Sequence, residues 1–132
     1  MAEFTIPKHG EICWRELATS DLEAAKKFYS NLFGWTLEQS KITPMPYNEI
    51  HLGEKSTGGM MQIDENWGDP PPPSFWQSYI AVDNTDETVK KIEEKGGSVR
   101  VPPFDAPGVG RMAMVADPAG AGFAIIQFVQ AA

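Results

Sequence analysis

Apolar residues recur along this chain with two periods, and the alternation between them repeats. Ile12-Cys13-Trp14-Arg15-Glu16-Leu17 has extended character, so its side chains are expected on alternate faces of a strand at about 11–18. Leu22, Ala25, Phe28, Tyr29, Leu32 and Phe33 then return at steps of three and four, which is one face of a helix at about 21–33. Ser20 and Glu23 have capping-box spacing at its start, and Gly34 stands where a left-handed residue closes a helix. Strand-like segments follow at about 35–38, 47–52 and 58–63. Pro44 and Pro46 mark a loop, and Gly58-Gly59 permits a bend or a close backbone approach.

The second half repeats the order. Phe75–Val82 is expected to be a strand, Asn84 and Glu87 cap a helix carrying Val89 and Ile92, and Gly96-Gly97 closes it. Further strands are expected at 98–101, stopping at Pro102-Pro103, at 111–116 and at 122–129. Asp117-Pro118-Ala119-Gly120 between the last two has the chemistry of a tight turn. Ser20 matches Asp83, Trp14 matches Gln77, Gly59 matches Gly122 and Met61 matches Ala124, all at one offset along the chain. The fold class is therefore α+β, two βαβββ modules at about 8–63 and 75–130, with residues 64–74 as a linker stiffened by four consecutive prolines. Residues 1–10 read as a loose arm. Each module covers one sheet face with its helix, and pairing the two bare faces makes a curved, partly closed barrel around a cavity.

Composition narrows the partners. The 132 residues carry a formal charge of −7, which argues against a nucleic-acid backbone and suits a cationic ligand. No apolar run approaches a membrane span, and the charged, proline-containing start lacks the apolar core of a signal peptide. A single cysteine, Cys13, excludes an intrachain disulfide and fits a cytoplasmic protein.

If Leu17 packs on the helix, Trp14 and Glu16 share the opposite face. Glu16 is the sharpest candidate there, because a buried carboxylate must find a partner or take up a proton. It is read as an acid–base group or as an anchor for a ligand's amine or hydroxyl, against a structural carboxylate paired with the neighbours of Arg15 or with Arg111 at the barrel rim. Trp14, Met61, Tyr79 and Met114 are candidate cavity walls or plain core, and Gln77 a polar contact to ligand or backbone. Arg111 reads as a solvated arginine or a guard for an anionic group. Cys13 should turn to the helix side as an inert thiol, and no histidine is placed to activate it. His51 shares a strand face with Glu49, a weak chelating geometry, and His9 lies in the arm as an exposed side chain.

With the CWRELATSD start, the LATSDLEAAKKFYSNLFGW segment, GGMM and the closing DPAGAGFAIIQ, the chain resembles the vicinal oxygen chelate superfamily over about residues 8–130. That group holds glyoxalase I, bleomycin-resistance proteins, extradiol dioxygenases and fosfomycin-resistance enzymes. The resemblance implies a homodimer and, in its metalloenzymes, ligands on the first and last strand of each module. Here those positions fall on Trp14, Met61 (or Gln62 on a one-residue slip), Gln77 and Ala124. An indole, a thioether or amide, an amide and a methyl are not the imidazoles and carboxylates that a divalent ion takes. The expectation is therefore no metal cofactor, and a small-molecule-binding protein of the bleomycin-resistance type for a cationic or aromatic ligand. The alternatives are a glyoxalase-like lyase or isomerase, or a dioxygenase-related enzyme, using Glu16 or a non-standard metal site, and an interaction domain whose cavity is filled by side chains.

Overall fold

The computed structural model describes residues 6–41 and 46–128; Pro44 of the expected loop and the last residue of the strand expected at 122–129 lie outside them. The elements run β1 (Ile12–Thr19), α1 (Leu22–Phe33), β2 (Thr36–Gln39), β3 (Asn48–Leu52), β4 (Lys55–Gln62), β5 (Phe75–Ala81), α2 (Thr85–Glu94), β6 (Ser98–Ala106), β7 (Gly110–Ala116) and β8 (Gly122–Phe128). A single 3-10 turn, Glu65–Trp67, interrupts the linker. The architecture is α+β, in two βαβββ modules.

Two compact units result. Residues Trp14–Gln77 form one; residues 6–13 together with 78–128 form the other. In the first, the strands lie in the order β2-β3-β4-β1, and β1 runs parallel to β4. In the second the order is β5-β8-β7-β6, with β5 parallel to β8. Residues 6–10 are tied down rather than loose: Gly10 N donates to Ala81 O and His9 Nδ1 accepts from Asp83 N, although the His9 ring stays exposed.

Alternation decides which side chains each helix covers. Leu17, Ile50 and Met60 form the core under α1, with Leu22, Ala25, Tyr29, Trp35 and Leu37 packed on it. Val82, Val89, Ala113, Val115 and Ile125 do the same under α2. The cap of α1 is Asp21 rather than Ser20: the Asp21 carboxylate accepts from Ala24 N at 3.1 Å. The Ser20 backbone N–H instead donates to Ser74 Oγ at 2.9 Å. Gly34 closes α1 in the left-handed region, at φ 73°. Asn84 caps α2 by accepting from Glu87 N, as the spacing predicts.

The β6 strand does not stop at Pro102-Pro103 but continues through them to Ala106, with register shifts at Val99/Val101 and Val101/Phe104. It lies at the end of its unit's strand order, beside β7, where a missing N–H leaves no ladder bond unmade. The Asp117–Gly120 turn forms as expected, with Gly120 N donating to Asp117 O at 2.9 Å.

Candidate functional site

The first module's sheet has one face under α1 and one opposite it. Leu17 and Met60 lie under the helix, so Trp14, Glu16, Gly59 and Met61 belong to the other face. Gln62 is on the helix side, where its carbonyl accepts from Leu22 N at 2.9 Å and its amide donates to Ser20 O at 2.8 Å. A side chain so engaged fixes the start of α1, and the register puts Met61 beside Ala18, on the face of Glu16.

The centre of that face is Tyr47, a residue the sequence reading used only as part of a strand. Its hydroxyl accepts from Trp14 Nε1 at 2.8 Å and is hydrogen-bonded to the Glu16 side chain. The indole N–H can only donate, so the phenol proton is directed to the carboxylate. Glu16 is 4% exposed. Burial pushes the Tyr47 phenol far above its ordinary value, and the Glu16 and Glu49 charges push the same way, while the Trp14 hydrogen bond opposes them. Tyr47 is therefore a neutral, permanent donor.

Gly59 makes the room. A Cβ there would run into the Tyr47 ring, and one on Gly58 would meet the backbone carbonyl of Arg15, the close approach the glycine pair suggested. Gly59 pairs with Glu16 on one side and Glu49 on the other, and Glu49 pairs with Glu38. Three carboxylates thus lie in one row across four strands, with a glycine between the first two. His51, one alternation from Glu49, places Nε2 3.3 Å from Glu49 Oε1 and 3.7 Å from Glu38 Oε2. Tyr47 is thus a partner of Glu16. Arg111 forks onto Asp86, at 2.7 and 3.1 Å, and reaches Asp105 at 3.1 Å. These carboxylates hold the guanidinium above its usual range, and it in turn lowers the Asp86 carboxyl.

The second module presents a row of its own. Tyr79 pairs with Ala124 and Ala124 with Met114, all facing away from α2, with Tyr79 and Ala124 buried. Gln77 precedes Tyr79 by one alternation on β5 and is half-buried. Cys13 Sγ donates to Tyr79 O at 3.6 Å, and burial raises its thiol. A depression of about 410 Å³ lies against Asp105, Pro107, Gly108, Arg111, Gln127 and Phe128. Its arginine is already committed to two carboxylates.

The positions that the resemblance marks for metal present an indole, a thioether, an amide and a methyl, a donor set that does not fit a divalent ion. Among the described residues, no group of three or more His, Cys, Asp or Glu side chains is placed to hold a metal ion.

The model of the "Glyoxalase/Bleomycin resistance protein/Dioxygenase superfamily" matches residues 11–125. "Putative glyoxylase CFP32" of Mycobacterium bovis is 35% identical over 125 residues, which are 91% of this chain and 46% of that protein. "Anthracycline biosynthesis protein DnrV" of Streptomyces peucetius is 35% identical over 130 residues, 88% and 46% of the two chains. The chain thus spans about half the length of these curated relatives. Methylmalonyl-CoA epimerase from Mycobacterium tuberculosis shares the fold at a TM-score of 0.58 and 13% identity, over 98% of this chain and 94% of that one. A hypothetical protein from Bacillus halodurans does so at 0.65 and 13%, over 95% and 99%.

Proposed function

Because this chain belongs to the glyoxalase/bleomycin resistance protein/dioxygenase superfamily, we propose that it binds a small molecule without a metal ion, on the sheet face where Trp14, Tyr47 and Glu16 meet. The observation that carries this reading is the hydrogen-bond chain from the Trp14 indole through the Tyr47 hydroxyl to the buried Glu16 carboxylate. Burying a carboxylate costs several kcal/mol unless hydrogen bonds compensate it, and each hydrogen bond to a charged group contributes ~1.5–3 kcal/mol. A buried carboxylate oriented by a tyrosine is useful as a recognition group. A carboxylate offers about four acceptor sites and can bond several donors at once. A ligand ammonium or hydroxyl donating to the same carboxylate gains a charge-assisted bond away from bulk water, where it is strongest.

The rest of the face selects the ligand. Trp14 supplies an aromatic wall and Met61 an adaptable one, while the Glu38–Glu49 end favours positive charge. A cationic or aromatic compound is the class these side chains suit, and a relative named for anthracycline biosynthesis puts such compounds first in a screen. The second reading, a glyoxalase-like lyase or isomerase with Glu16 as the acid–base group, draws on the relatives named as glyoxylases.

A thermal-shift screen of aromatic amines, aromatic alcohols and antibiotics separates the two. It is run on chelator-treated protein and again with added Ni²⁺, Zn²⁺ or Fe²⁺. Binding reads as a rise in melting temperature that grows with compound concentration. We expect the rise in chelator-treated protein, unchanged by the ions. Stabilisation that requires an added ion contradicts the proposal, and turnover of a bound compound moves the assignment to the enzyme.

A further inference from the structure

The depression beside Arg111 lies in the second module, on the sheet face that α2 covers and away from Tyr79, Met114 and Ala124. Ala113, Val115 and Ile125 pack under that helix, so alternation puts Arg111 on the same face, with Gln127 as its cross-strand partner. Its volume of about 410 Å³ is that of a small-molecule site. The walls are stiff for local reasons. Ala106 to Val109 is a tight turn, closed by Val109 N donating to Ala106 O at 3.0 Å. Proline presets its second position, and Gly108 is left-handed at its third, with φ 78°. Arg111 is held at three points, since Nε and Nη2 donate to Asp86 and Nη1 to Asp105. Gln127 is held by its oxygen, which accepts from Thr85 N at 3.0 Å.

What these two side chains leave unbonded is all donor. A guanidinium carries more N–H groups than the three bonds of Arg111 use. Because a backbone N–H can only meet the oxygen of Gln127, its amide nitrogen is the end turned from Thr85, and that nitrogen has no protein partner among the described residues. Asp105, the acceptor side chain at the edge, is 78% exposed and already bonded to Arg111. The charge of Arg111 is matched by Asp86 and Asp105, so an anion gains little from it. An ammonium would bring only donors to a surface that presents donors. A carbonyl oxygen brings an acceptor and no charge. We propose that this depression binds a neutral, planar carbonyl compound, such as an aryl ketone, quinone or lactam. Its oxygen accepts from Gln127 Nε2 and the Arg111 guanidinium, and its ring lies against Pro107 and Phe128.

Three probes of one size and different charge test the inference: acetophenone, benzoate and benzylammonium, each titrated into the unaltered protein and followed by amide resonances. Acetophenone should shift the side-chain amide of Gln127 and the backbone amides of residues 108–111 and 127–128. The shifts should saturate with a Kd in the millimolar range, which a compound this small reaches. The two charged probes should bind there at least about tenfold more weakly, because neither satisfies the donors without a charge penalty. Gln127→Glu keeps an acceptor for Thr85 N and removes the amide donors, so it should weaken acetophenone at least about tenfold. Leu52→Glu, at an exposed position of the first module, should leave that binding unchanged. No saturable shift at these residues, a charged probe binding there as tightly as the ketone, or shifts that map to the face of Trp14 and Glu16 overturns the inference. So does a folded Gln127→Glu protein that binds acetophenone as the unaltered chain does.

Discussion

Tyr47 carries the first prediction. A phenol held neutral by burial and by two nearby carboxylates binds its proton more tightly folded than unfolded. The sign follows: its contribution to stability is complete below the unfolded value near 10.0 and is lost as pH rises above it. Wild-type protein should therefore lose stability more steeply above pH 10 than Tyr47→Phe. A spectrophotometric difference titration of the two should show one phenol that ionises only on unfolding. Parallel stability curves above pH 10 would mean that Tyr47 is not held as described. Glu16 was legible in the sequence, because alternation from Leu17 puts it on the uncovered face and a buried carboxylate draws notice anywhere. Tyr47 was not, because its role comes from partners 31 and 33 positions away along the chain and from a glycine on a third strand. Its one local signal was alternation with Glu49 and His51. The carboxylates of Arg111 were hidden for the same kind of reason, since they come from α2 and β6.

Among the elements, β4 and the cap of α1 offer the clearest tests. Gly59→Ala drives a methyl into the Tyr47 ring, so we expect a loss of ~1–3 kcal/mol on urea unfolding and release of the Trp14 hydrogen bond, read as a change in indole fluorescence. Asp21→Ala should cost ~1 kcal/mol by removing the acceptor for Ala24 N, whereas Ser20→Ala should leave the cap itself intact. The element order, both helices and the closing glycine of α1 could be read from periodicity. What could not was the choice between adjacent cap residues: both carry a side-chain oxygen, but Asp21 accepts from Ala24 N while the Ser20 hydroxyl is engaged with Ser74. Nor could the length of β6 be read, because proline stops a central strand and is tolerated at an edge, and the sequence does not say which strand is the edge.

At the scale of the whole molecule, the repeat is the strongest signal in the chain. The caps Asp21 and Asn84 are related by the same offset as Ser20 and Asp83. The parallel strand pairs are not: Ala18 pairs with Met61, but its counterpart Ala81 pairs with Ile126 rather than with Ala124. The slip is two residues, which keeps every side chain on its original face, and only an even slip is compatible with a buried face. Duplication thus made the fold readable and left function to the places where the copies differ. Trp14 and Gln77 share one position of the repeat, Glu16 and Tyr79 another, and the copies carry unlike chemistry at both.

The claim that matters most is that Glu16, aimed by Tyr47 and Trp14, recognises the ligand directly. Isothermal titration of the best-stabilising compound into chelator-treated wild-type protein and into Glu16→Gln tests it. The account predicts binding by the metal-stripped wild type and an affinity weakened about tenfold to a hundredfold in the variant, with the same folded-state spectrum. Equal affinity in the two proteins, or no binding until a divalent ion is restored, would contradict it.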